Sequence, residues 1–169
     1  MGLKVGEVRL EKWNPRWRED FEMEKQNLFQ ILGSLALDIQ HIGSTSINQL
    51  DAKPIIDIAV GLENLSEFEK VRKAFDQLSQ YSIKPDNDSG EVLIRKGPEN
   101  NRTHFIHVMK YKDQRMNDSL KFRNILRLNP QIRNEYCRLK HQLANKYPND
   151  RKSYTADKST FIKQVLRDN

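Results

Sequence analysis

The stretch from His41 to Val60 constrains this chain more than any other. It opens as His41-Ile42-Gly43-Ser44-Thr45-Ser46, a strand end running into a turn of small residues. It closes as Lys53-Pro54-Ile55-Ile56-Asp57-Ile58-Ala59-Val60, an apolar run of strand length with one acidic residue in its middle. Gly43 admits positive φ or the close approach of a ligand. Ser44, Thr45 and Ser46 add hydroxyls and backbone N–H groups where a helical turn should begin, a natural seat for a phosphate. Asp57 is costly in an apolar strand unless it is paired, hydrogen-bonded or bound to a metal. The two halves imply a phosphate cradle facing a metal-binding carboxylate.

The flanking sequence predicts an α+β chain. Asn14-Pro15 opens a helix, with Trp17, Phe21, Met23, Leu28, Ile31 and Leu32 at helical spacing. Leu37 to Ile42 reads as a strand, and Gly6 to Trp13 as a short edge segment. After the strand at Lys53 to Val60, Ser66-Glu67-Phe68-Glu69 is a capping-box pattern before the face Phe68, Val71, Phe75, Leu78. Ile83 starts a short extended piece, and Asp86 to Gly90 is turn chemistry. Strands at Val92 to Arg95 and Thr103 to Met109 flank a hairpin loop at Gly97 to Asn101. The remainder is helical: one helix ends before Asn129-Pro130, a second starts there, and a third spans Tyr154 to Leu166. The 169 residues suit one domain, 1–169, with a single core.

Composition narrows the setting. A net charge of +6 favours anionic partners, although the basic residues are scattered. Cys137 is the lone cysteine, which excludes an internal disulfide and suits a reducing cytoplasm. No apolar run approaches membrane-spanning length, and the opening Met1 to Gly6 has no apolar core of a secretory signal. No membrane partner is expected, and nucleic acid is disfavoured because no motif or stacking platform stands behind the charge.

Asp57 is the strongest candidate for chemistry. On a strand it shares a face with Ala59, where a second metal-binding carboxylate would have to sit. Lys53 can meet a phosphate as a point charge. Arg123 and Arg127, four apart on one helix face, can do the same or form a solvated basic face. His41 borders the turn. His104 and His107 point to opposite faces of their strand, so at most one of them faces a site there. Tyr154 and Lys158, also four apart, read as a helix-surface pair. Each candidate has a structural alternative: Asp57 suits a pair with Lys53, and the Gly43-Ser44 turn suits an ordinary helix cap.

These residues also carry a resemblance. The two halves of the His41 to Val60 stretch, with Arg102-Thr103-His104-Phe105-Ile106-His107-Val108, Leu120 to Arg127, Asn129-Pro130, Tyr136, Leu139-Lys140 and Tyr154 to Lys158, resemble the GrpB family of small bacterial proteins. That resemblance implies a nucleotidyltransferase-like fold, a small mixed sheet with flanking helices and a helical C-terminal part. It implies a Gly-Ser turn at Gly43 and Ser44, and a strand carboxylate at Asp57, thirteen positions after Ser44. The chain departs from that pattern at the partner position, Ala59 or Ile55. The expectation is a protein binding a nucleotide or other phosphorylated small molecule. Gly43, Ser44 and Thr45 would cradle phosphate, Asp57 would be catalytic and would hold magnesium, and Lys53 and Arg123 would neutralise charge. His41, His104 and His107 stand as further candidates. Two activities remain open: nucleotidyl or phosphoryl transfer to an unknown acceptor, and a catalytically degenerate binding module.

Overall fold

A computed structural model describes residues 1–84 and 90–169. Five strands form one sheet: β1 Asp38–Ile42, β2 Ile56–Leu62, β3 Tyr81–Ile83, β4 Glu91–Lys96 and β5 His104–Lys110. Their spatial order is β1-β2-β5-β4-β3, with β2 and β5 parallel and the other neighbours antiparallel. The parallel pair requires a crossover, which helix α2 (Phe68–Phe75) and the β3–β4 pair supply. The long helices are α1 Arg16–Leu32, α3 Gln114–Leu128, α4 Pro130–Lys146 and α5 Arg151–Asp168. The expected α+β class with a small mixed sheet is what forms.

Strand alternation sends alternate residues to two different layers. Ile56, Ile58, Val60 and Leu62 of β2, with Ile106 and Val108 of β5, face α1 and α2 and form the main core with Trp17, Phe21, Leu28 and Phe75. Each such buried side chain contributes about 1.5–3 kcal/mol. The other sheet face carries Asp57, Ala59, Phe105 and His107. There the helical tail touches the sheet through a small cluster of Ile42, Ala59, Met109 and Met116. α3, α4 and α5 instead pack on one another around Tyr136, with Phe122 edge-on at 5.2 Å and Phe161 stacked at 5.5 Å. Space is left between the tail and the sheet.

Several boundaries differ from the sequence reading. Met23 is 59% exposed. The buried stripe of α1 runs through Trp17, Phe21, Glu24, Leu28 and Leu32, so a glutamate takes the inward position. Glu24 is held there by Tyr81 at 2.8 Å and by Lys96. The cap ahead of α2 is Asn64, reciprocated by Glu67, because a 3₁₀ turn at Leu65–Glu67 precedes the helix. α5 begins at Arg151, with Asp150 accepting from the Ser153 N–H at 3.0 Å. Its polar first turn leaves no apolar period to read. The segment expected as an edge strand, Gly6 to Trp13, makes one isolated bridge, Glu11 to Ala52; a second isolated bridge, Leu3 to Arg102, lies ahead of it. The turn expected at Asp86 to Gly90 lies outside the described residues except for Gly90. No described helix is long and apolar enough to cross a membrane.

Candidate functional site

β1 ends at Gly43, whose φ of +66° and ψ of −174° are open to glycine and to few other residues. Ser44–Ser46 make a single 3₁₀ turn rather than the start of a longer helix. Ser46 Oγ donates to Gly43 O at 2.6 Å. The Thr45 hydroxyl shares a 3.0 Å hydrogen bond with His41 Nε2 and lies 3.4 Å from Ile55 O, so it is occupied internally. Two arginines of α3 clamp this segment. Arg123 donates to Gln40 Oε1 and His41 O, each at 3.0 Å, and Arg127 donates to Ser46 O at 2.7 and 3.2 Å. The face expected to be either solvated or phosphate-bound thus also braces the turn.

Asp57 lies directly beneath Gly43. Sheet register sets Ala59 of β2 beside His107 of β5, which brings His107 Nε2 to 3.6 Å from Asp57 Oδ1. The other ring nitrogen, Nδ1, is 2.6 Å from Glu91 Oε1, and Arg115 reaches Glu91 Oε2 at 3.2 Å. Burial alone would lower the His107 pKa. The two carboxylates prevail and raise it to about 9, so the ring is an imidazolium that donates from Nδ1 to Glu91 and faces Asp57 as an ion pair through Nε2. Burial likewise works to raise the Asp57 pKa, and His107, Lys53 and Lys158 together hold it below the usual carboxylate value. A third of the Asp57 side chain, 33%, remains open.

That opening is the floor of a cavity of about 530 Å³ between the sheet face and α3–α5. Besides His107, six cationic side chains line it, Lys53, Arg115, Arg123, Lys140, Arg151 and Lys158, against the carboxylates Asp57 and Asp118. Lys53 Nζ and Lys158 Nζ each stand 5.5 Å from the centre of the Tyr154 ring. Burial, with Lys158 nearby, pushes the Lys53 ammonium down to about 7 against the pull of Asp57. Lys140 is 1% exposed and donates to Asp51 O; burial and Lys158 push it to about 7 as well. Burial raises the Tyr154 phenol to about 12. Phe105, Phe122 and Ile162 form an apolar wall.

Of the residues singled out from sequence, Gly43, Ser44, Thr45, Lys53, Asp57, His107 and Arg123 all border this cavity. His41 and His104 do not. Both lie on the α1 side of the sheet. His41 stacks on Phe21 at 4.7 Å, and burial with Arg127 and Arg123 nearby pushes its pKa to about 3. His104 is buried, shares a 2.9 Å hydrogen bond with Thr103 Oγ1 and is lowered by burial. Asp57 has no ion pair with Lys53; among the described residues its ion-pair partner is His107. The sequence reading missed Arg115, Lys140 and Arg151 and placed Tyr154 and Lys158 on a surface. Lys140 carried a usable signal, a charged residue in step with Tyr136 and Leu143 on the inward stripe of α4.

Among the described residues, Asp57 belongs to no cluster of metal-binding side chains. Among the described residues, the one group of three or more candidate ligands within 4.8 Å of one another is Asp51, Cys137 and His141. In that group Asp51 already meets Lys12 at 2.9 Å and His141 at 2.8 Å.

The whole chain has relatives. It is 38% identical to the glutamate-rich protein GrpB of Alkalihalophilus pseudofirmus, over 99% of each chain. The crystal structure of the conserved protein GrpB from Enterococcus faecalis superposes with a TM-score of 0.83 at 36% identity, covering 95% of this chain and 98% of that one. The Cid1 poly(U) polymerase, in a MgGTP-bound crystal structure, superposes with a TM-score of 0.55 at 11% identity, over 79% of this chain and 44% of that one. This last likeness shows a nucleotidyltransferase-like fold. The family model for the GrpB protein matches residues 7–168, and the chain belongs to the GrpB family.

Proposed function

We propose that this protein binds a nucleotide or other phosphorylated small molecule in the cavity above Asp57, and that it does so without a metal ion. The observation that carries this reading is the ion pair of Asp57 with His107, set among six further cations. A carboxylate already facing an imidazolium does not invite magnesium, which asks for an octahedron of oxygen donors usually built on more than one carboxylate or phosphate. The partner position on the strand is Ala59, and the neighbouring strand offers His107 in place of an oxygen ligand. The residues present offer a metal one carboxylate, and that one is paired with His107.

The same residues suit phosphate. Lys53, Lys140 and Lys158 bring ammonium groups into a part-apolar space, and a charge-assisted hydrogen bond contributes about 1.5–3 kcal/mol. Lys53 and Lys140, which burial brings to a pKa of about 7, are partly charged near neutral pH and gain charge when an anion arrives. Phe105, Phe122 and Ile162 offer an apolar surface to a base or acyl group.

A second reading, metal-dependent nucleotidyl or phosphoryl transfer to an unknown acceptor, draws on the fold and on the open third of Asp57. Calorimetric titration of nucleoside mono-, di- and triphosphates separates the two. The proposal expects binding in the presence of a chelator, unchanged by magnesium and lost in Lys53→Ala or Lys158→Ala. Binding that appears only with magnesium and vanishes in Asp57→Asn overturns it in favour of transfer chemistry.

A further inference from the structure

Beside the cavity lies a smaller basic cleft that the phosphate-binding reading does not use. Its walls come from α1, β1, the 43–48 turn and α3, and it shares Thr45 and Arg123 with the cavity. Arg18 and Arg127 line it, and with Arg133 they also line a contiguous depression around Asn48. These guanidiniums bond to neutral oxygens: Arg18 to Asn48 Oδ1 at 3.4 Å, Arg127 to Ser46 O, and Arg133 to Gln49 Oε1 at 3.3 Å. Among the described residues, none of them stands in an ion pair. Arg133 Nε is buried and has no hydrogen-bond partner.

The arginines crowd one another. Burial first, and then the charge of Arg18, holds Arg127 below the usual guanidinium value; burial and Arg127 do the same to Arg123. Glu22 lines the cleft, and Asp38 acts on Arg123 from beyond ion-pair range. Lys25 adds another cation and Trp13 an aromatic surface. Uncompensated guanidiniums gathered beside a cavity focus a positive potential that draws anions.

We propose that the cleft continues the cavity and that together they hold a short single-stranded oligonucleotide, with a terminal nucleotide in the cavity and the following phosphodiesters on Arg18, Arg127 and Arg133. The inference rests on the reading of the cavity as a nucleotide site. Guanidiniums spaced along a groove match a repeating phosphate, and an aromatic wall tolerates any base. Arg123, common to both spaces, stands at the junction.

The test is fluorescence anisotropy with a single-stranded hexamer of mixed sequence, as DNA and as RNA, labelled at one end, alongside calorimetry with a mononucleotide. Wild-type protein should bind the hexamer about tenfold or more tighter than the mononucleotide at low salt. Arg18→Ala combined with Arg133→Ala should remove that advantage and leave mononucleotide binding unchanged. It should also flatten the plot of log affinity against log salt by about 1.4, the share of two phosphate contacts on a single strand. Arg18 is exposed and Arg133 half-buried, and a melting curve verifies that the double variant is folded. Hexamer binding no tighter than mononucleotide binding overturns the inference and leaves the cavity reading standing. An unchanged hexamer affinity in the double variant also overturns it, and so does equal competition by inorganic phosphate, which would mark the cleft as a free-phosphate site. If neither ligand binds, the cavity reading fails and takes this one with it.

Discussion

A β-carbon on Gly43 would stand 2.5 Å from Oδ2 of Asp57 and 2.9 Å from its Cβ. The turn after β1 therefore rests on the carboxylate of β2, and only a residue without a side chain permits that contact at φ +66°. Gly43→Ala should lower stability by at least about 1–3 kcal/mol, from backbone strain before any clash is counted. Chemical denaturation of the purified variant measures it. A midpoint equal to that of the wild type would show that the turn can shift away from Asp57.

The pair of His107 with Asp57 makes stability depend on pH in a defined direction. The folded-state pKa of His107 is raised from 6.5 to about 9, against burial, by Asp57 and Glu91. Its contribution to stability is therefore complete below pH 6.5 and is lost as pH rises through 9. Asp57→Asn should move the His107 titration down by a unit or more, since one of its two anionic partners becomes neutral. Imidazole proton resonances followed across that range give the value directly; an unshifted titration would mean that Glu91 alone holds the charge.

Lys53 and Lys140 have the opposite sign. Burial lowers each from 10.5 to about 7, so between those values the unfolded chain binds more protons and the stability penalty of holding them neutral shrinks as pH rises. Anion affinity follows the charged form. A phosphorylated ligand should bind more weakly as pH rises above 7, and its binding near neutrality should take up protons. Calorimetry in two buffers of different ionisation enthalpy counts them. Zero net uptake would place the ligand away from both lysines.

Glu24 tests the far side of the sheet. It is 1% exposed, bonded by Tyr81 and Lys96. Burial works to raise its pKa, and those two partners together hold it below the usual value. Glu24→Ala leaves Lys96 and the Tyr81 hydroxyl without their acceptor and should cost about 3–5 kcal/mol. Thermal melts read this effect. Because Glu24 is on the α1 side, ligand binding in the cavity should survive in any fraction that remains folded.

Much of the fold was legible in the chain because its signals are local. Alternation in Ile56 to Val60 and in His104 to Met109 told which residues share a sheet face, and it correctly parted His104 from His107. Asn129-Pro130 marked a helix boundary that the structure shows, with Asn129 Oδ1 accepting from the Gln131 and Ile132 N–H groups. Glycine at position 43 announced unusual backbone geometry. These features depend on neighbours within a few residues, and the covalent chain brings those neighbours together in any fold.

The site's electrostatics depended on what the chain brings together across long separations. Sequence marked Asp57 as an acid in need of a partner; the register of β2 against β5 decided that the partner is His107. Lys53 lies five residues before Ile58 on the page, yet its lowered pKa comes from burial and from Lys158 on α5. Tyr154 and Lys158 show only a helical spacing in sequence, and whether that helix face meets water or a cavity is set by how α5 packs against α3 and α4. The chain by itself determined which residues carry charge and which way each strand's side chains alternate. Tertiary structure decided which charges meet, because pairing and desolvation depend on distances of a few ångströms between segments that sequence order does not relate.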